Sequence, residues 1–134
     1  TGGAGSDVLM GGAGNDSLTG GLGSDTFAWS LSDKGTVGLP ATDTITGFNV
    51  ASKSLGGDVL DLRDLLPNGA TNATTLDGYL NFSKSGADTV IDVKPDGTNV
   101  TQKIVLSGVD LGATGTNDVA IINDLIAKGK LITD

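Results

Sequence analysis

An all-β fold with a single C-terminal helix is what this sequence predicts, and three observations carry the prediction. Residues 2–28 repeat one nine-residue phrase three times in unbroken register. Beyond them, short runs alternate polar and apolar residues between glycine, proline and asparagine turns, the pattern of strands. All 16 acidic residues are aspartate and none is glutamate, which suits loops and turns, where the shorter carboxylate reaches its own backbone or a metal, so helix content should be low.

The phrase runs Gly2-Gly3-Ala4-Gly5-Ser6-Asp7-Val8-Leu9-Met10, then Gly11-Gly12-Ala13-Gly14-Asn15-Asp16-Ser17-Leu18-Thr19, then Gly20-Gly21-Leu22-Gly23-Ser24-Asp25-Thr26-Phe27-Ala28. Glycine takes backbone angles closed to other residues, so Gly-Gly-x-Gly can curl tightly with several carbonyl oxygens on one side. Calcium wants six to eight hard oxygen ligands in flexible geometry, and carbonyls plus a short carboxylate meet that demand. The metal candidates are therefore Gly2, Gly3, Gly5 and Asp7; Gly11, Gly12, Gly14 and Asp16; and Gly20, Gly21, Gly23 and Asp25. After each loop comes a short strand, Val8–Met10, Ser17–Thr19 or Thr26–Ala28, whose middle residue faces the core because strand side chains alternate. Such nonapeptides build a parallel β-roll.

With two nonapeptides per coil, loops alternate sides and an ion is shared between loop i and loop i+2. The loop of Gly2 to Asp7 should then face that of Gly20 to Asp25, while the loop of Gly11 to Asp16 lacks a regular partner. Asp33, one residue short of where a fourth loop would place its aspartate, is the nearest substitute; whether it closes that second site stays open.

Other readings of the glycines are weaker. A flexible linker has no reason to hold an aspartate and an apolar residue in phase across three repeats. No third glycine stands where a dinucleotide loop needs one, and no Gly-Lys-Ser/Thr follows as in a P-loop. A net charge of -8 argues against nucleic acid or an anionic membrane surface as partner. No run approaches the roughly 20 apolar residues of a membrane helix. Without cysteine, metal binding would have to do the stabilising work of disulfides outside the cell. Without histidine or cysteine, zinc-protease helices, Ser-His-Asp triads and Cys-His dyads are excluded. A carboxylate pair among Asp58, Asp61 and Asp64 is formally open to glycoside chemistry. Solvated or capping roles suit these residues better, because the chain has few aromatics to line a sugar cleft. No catalysis is expected from this chain. It begins in mid-repeat, and stacked repeats bury their faces on neighbours, so a longer protein upstream is expected.

Further along, Trp29–Asp33 should continue the third strand, and residues 34–40 form a loop that closes the roll. Asp43–Phe48 and Gly57–Leu62 read as strands with aspartates at their mouths, and Asp61 should cap a brief helical turn that Pro67 ends. Residues 68–78 read as loop. Tyr79–Ser83, Thr89–Lys94 and Lys103–Leu106 predict an antiparallel, sandwich-like cap beside the roll, with a turn at Pro95-Asp96-Gly97. Thr116-Asn117-Asp118 resembles an N-cap, followed by a stripe of Val119, Ile122, Leu125 and Ile126 and a glycine stop at Gly129. Leu131–Asp134 reads as a short apolar tail. The expected division is 1–34 for the roll and 35–134 for the cap.

The nonapeptides resemble the repeats-in-toxin (RTX) family. The flank, Gly20 to Leu31, then Asp43-Thr44-Ile45-Thr46-Gly47-Phe48, then Gly57-Asp58-Val59-Leu60-Asp61-Leu62-Arg63-Asp64-Leu65-Leu66, is similar to the type I secretion C-terminal domain of giant bacterial surface adhesins, as are Ile104 to Leu111 and Asn123 to Asp134. Gly47 departs from that pattern, where an acid often precedes the aromatic. The resemblance implies a secreted, cell-surface protein of a Gram-negative bacterium, a monomer in this module, exported through a type I transporter that reads its C-terminal region. It also implies Ca²⁺ as the ligand and a role in adhesion and biofilm. Sequence physics agrees: without calcium the aspartates repel and ordering a glycine-rich backbone is unfavourable, so the repeats would stay threadable until they meet calcium outside. The alternative is the same module on a secreted protease or lipase with its catalytic domain upstream. A sugar- or ice-binding roll surface is the weakest reading, since positions 7 and 9 of the repeats present no ordered array.

Overall fold

The computed structural model describes residues 1–134. Its N-terminal strands are β1 (Gly3–Ala4), β2 (Val8–Leu9), β3 (Ser17–Thr19), β4 (Gly21–Leu22) and β5 (Thr26–Ala28). Next come β6 (Ala41–Thr46), β7 (Val59–Asp61), the one-turn helix α1 (Ala73–Leu76), β8 (Leu80–Ser85), β9 (Asp88–Val93) and β10 (Gln102–Ser107). Helix α2 (Asp118–Ala127) and β11 (Leu131–Ile132) close the chain. The fold is all-β with one main helix near the C-terminus.

Two sheets carry the core. One is four-stranded and wholly parallel, in the order β11-β7-β5-β2. Its register places Leu131, Leu60, Phe27 and Leu9 side by side, and all four are buried. The other is five-stranded, in the order β3-β6-β10-β9-β8. Here Leu18, Ile45 and Leu106 align across parallel pairs, and Ile104, Ile91 and Phe82 across antiparallel ones. Alternation along β6, β9 and β10 buries every second residue, as a sheet with one covered face requires. A single cluster of 24 buried apolar residues runs from Leu9 to Leu131. A small third pairing, β1 with β4, joins the first and third glycine loops in parallel.

The first coil is 18 residues long, and later coils lengthen to 27 and 33 as the glycine loops give way to longer connections. Parallel pairing does not stop near residue 34. Strands β6, β7, β10 and β11 all extend the roll's two sheets, and the antiparallel β8 and β9 are added to the outer edge of one of them. The expected segments 1–34 and 35–134 therefore share both sheets and one core.

Several local expectations are corrected. The strand of the third repeat, β5, ends at Ala28, opposite the end of its partner β7 at Asp61; residues Leu31–Asp33 form a 3₁₀ turn instead. Asp61 closes a strand and accepts from Arg63 N at 3.2 Å, a two-residue turn rather than a helix cap. The loop 68–78 contains α1, whose N-cap Asn72 accepts from Thr75 N at 2.9 Å. In α2 the buried face is Asp118, Ile121, Ile122 and Leu125, with Val119 and Ile126 only partly covered. Leu131–Ile132 is no loose tail but the edge strand of the parallel sheet, reached through Gly129 at φ +69°. The turn at Pro95–Gly97 forms as expected. Asp96 accepts from Asn99 N and its side-chain amide and from Thr98 N, which together hold its carboxyl down at about 2.

Candidate metal centre

The nonapeptide aspartates form two columns. In one, Asp7 N donates to Asp25 Oδ1 at 2.9 Å, and Asp25 N donates to Asp58 Oδ1 at 2.9 Å. In the other, Asp16 N donates to Asp43 Oδ1 at 2.8 Å. Each carboxylate thus caps the backbone of the aspartate one coil earlier. The first and third loops face each other through Gly3 N to Gly20 O and Gly5 N to Leu22 O, both 2.8 Å.

Two reasons for glycine separate within the phrase. The second and fourth positions, Gly3, Gly5, Gly12, Gly14, Gly21 and Gly23, lie at φ between +91° and +119°, where a Cβ is strained. The first positions, Gly2, Gly11 and Gly20, do not have positive φ. They are glycine because Oδ2 of Asp7, Asp16 and Asp25 respectively fills the space a Cβ would need.

Those same three oxygens decide the chemistry. Asp7 Oδ2, Asp16 Oδ2 and Asp25 Oδ2 are buried without a hydrogen-bond partner. An unpaired buried carboxylate oxygen is strongly unfavourable, and three of them recur at one position of one repeat. No three acidic side chains gather at one point, so any ion held here would take most of its ligands from backbone carbonyls. Hard oxygens, one negative charge per loop and flexible glycine backbone fit calcium.

Asp43 and Asp58 occupy the same column positions with the opposite outcome. Asp43 Oδ2 accepts from Trp29 Nε1 at 2.7 Å and Gln102 Nε2 at 3.1 Å, and Asp58 Oδ2 accepts from Asn49 N at 2.7 Å. Protein donors complete both carboxylates. Sequence reasoning placed neither residue in the columns, although Asp43-Thr44-Ile45 and Asp58-Val59-Leu60 repeat the aspartate-x-apolar signal of the nonapeptides without the glycines. Asp33 does not take the place stacked on Asp16, which Asp43 holds. It lines a cavity of about 360 Å³ with Ala13, Gly14 and Asn15 of the second loop and with Lys34. Asn15 is also tied to β6, where Thr42 N donates to Asn15 Oδ1 at 2.8 Å.

Stacked glycine loops, each with an aspartate oxygen left for a cation, define a repeat-built cation-binding roll. Residues 1–28 match the family model described as RTX calcium-binding nonapeptide repeat (4 copies), so the N-terminal loops are repeats of RTX type. No curated protein matches it. Among solved structures it is similar to the AlgE6R3 subunit of the Azotobacter vinelandii mannuronan C5-epimerase, with 29% identity over 88% of this chain and a TM-score of 0.58. It is also similar to the AlgE6R2 subunit of the same enzyme, with 25% identity over 94% of this chain and a TM-score of 0.56. The chain spans 64% of the first of these structures and 70% of the second. A third match is the C-terminal domain (RV) of MpAFP, with 30% identity, 87% of this chain, 81% of that one and a TM-score of 0.48.

Proposed function

We propose that this chain is a non-catalytic module that folds on calcium and serves as the C-terminal type I secretion region of a large RTX surface adhesin. The observation that supports it most is the set of three orphaned aspartate oxygens in register within the glycine loops. In a calcium-poor cytosol these carboxylates have no counter-charge and the loops stay open. Outside, ions held by Gly2, Gly3, Gly5 and Asp7 with Gly20, Gly21, Gly23 and Asp25 join the first and third loops. A second ion lies between Gly11, Gly12, Gly14 and Asp16 and the cleft lined by Asp33. Extracellular calcium modules bind at roughly 10⁻⁴ to 10⁻³ M, so the compartment itself would switch folding. The module acts as a monomer, secreted or held at the cell surface, and its C-terminal region meets the transporter.

A calcium titration followed by circular dichroism and thermal melting tests the metal half. A saturable gain in β signal and melting temperature is expected with calcium and not with magnesium. Full structure in chelator that does not respond to calcium would remove the switch. Export tests the other half: deleting Asn117 to Asp134 from a reporter fusion is expected to abolish type I secretion, and undiminished export would refute the secretion role. A second reading, a non-catalytic module of a secreted enzyme, is favoured by the AlgE6 neighbours, which are subunits of a mannuronan-modifying enzyme. Saturable binding of mannuronan to this chain would favour it over the adhesin.

A further inference from the structure

Lys130 has 1% of its surface exposed, and its partners are carbonyl groups rather than carboxylates. Its ammonium donates to Asn49 O at 2.6 Å, Ala51 O at 2.9 Å and Asp58 O at 2.6 Å. Three N–H donors meet three acceptors, so the group is fully satisfied. The ring of Phe48 lies beneath it, 4.6 Å from Nζ to the centroid. Burial lowers the ammonium's pKa to about 8 while the Asp58 carboxylate draws it back up, so at neutral pH most of it stays charged.

The position of this cage in the roll gives it meaning. Asp58 is the last carboxylate of the column that begins with Asp7 and Asp25. The loop that leads to it, from Asn49 to Gly57, stands where the earlier coils of that column have a glycine nonapeptide. Lys130 arrives from the next coil, directly before Leu131, which pairs with Leu60. Converging carbonyl oxygens around one positive charge are also how a protein holds a hard metal ion. In the first two coils of the column, carboxylate oxygens are left unpaired; in the third, Asp58 is complete and a cation is already present.

We propose that Lys130 is a built-in counter-cation: its ammonium fills a carbonyl cage at the C-terminal end of the Asp7–Asp25–Asp58 column, so the last coil needs no bound metal, and the carbonyls of Asn49, Ala51 and Asp58 form a latent cation site. The arrangement requires residues 72 to 81 positions apart, so it exists only in the folded roll.

Lys130→Met tests this, since it keeps most of the stem and removes the charge. At low calcium the variant should melt on the order of 10 °C below wild type, because three buried carbonyls lose their donor. Calcium well above 10⁻³ M should close most of that gap by entering the cage, with about one more ion bound per chain in equilibrium dialysis. A deficit that calcium does not reduce, no deficit at all, or a variant that stays unfolded at every calcium concentration each overturns the proposal. Wild-type protein provides an independent reading in saturating calcium. The Lys130 ammonium should give a slowly exchanging ¹⁵N–¹H signal with couplings through hydrogen bonds to the carbonyl carbons of Asn49, Ala51 and Asp58. Exchange as fast as that of the exposed Lys84 ammonium would also overturn it.

Discussion

Asp25→Asn is expected to separate from wild type only when calcium is present. Asparagine keeps the Oδ1 acceptor for Asp7 N and removes the charge on the oxygen that has no partner. In chelator the variant should be at least as stable as wild type, because a fully buried, half-paired carboxylate is relieved. With calcium the order reverses. A site filled to 100 times its dissociation constant adds about 2.7 kcal/mol, and a tenfold loss of affinity removes about 1.4 kcal/mol of that. The two melting curves, plotted against calcium, should therefore cross. Parallel curves with the same calcium midpoint would show that Asp25 is not a ligand and that its column is held together by hydrogen bonds alone.

Asp43→Ala is expected to be severe and indifferent to calcium. Asp43 is 1% exposed and accepts from Asp16 N, Trp29 Nε1 and Gln102 Nε2. Its loss leaves three donors unpaired, each worth about 1–3 kcal/mol when buried, so a total of about 3–5 kcal/mol is expected after relaxation. For a chain of this length that lowers the melting temperature by roughly 10–20 °C. Denaturant melts in calcium and in chelator should show the same loss. A deficit confined to calcium would instead make Asp43 a metal ligand and move the second site from the Asp33 cleft to the column. Together the two substitutions separate carboxylates that wait for an ion from carboxylates the protein has already paired.

What could be read in advance follows from distance along the chain. The nonapeptide loops were legible because each is a local device: glycines at fixed offsets, an aspartate and an apolar residue, all within nine positions. The facing of loops 1 and 3 followed from the repeat period, and Gly3 pairs with Gly21 as that period requires. The strands of the antiparallel hairpin were legible because turn residues and alternation bracket them. Residues 73–76 carry no helical signal because a single turn offers no periodicity, and what defines it is the Asn72 cap. The strand at Leu131–Ile132 is silent in the sequence because two residues carry no alternation; what defines it is a partner 71 residues earlier, Leu131 opposite Leu60.

Neighbouring residues alone dictate the RTX-type glycine loops, since their backbone angles and aspartate spacing are set within nine positions. Tertiary structure decided which carboxylates keep a free oxygen. Asp43, Asp58 and Lys130 have their partners at separations of 9 to 81 residues, most of them brought together by the registers of the two sheets. Hydrogen-bond satisfaction is a property of the assembled neighbourhood, so the boundary between coils that need an ion and coils that supply their own charge is drawn by packing.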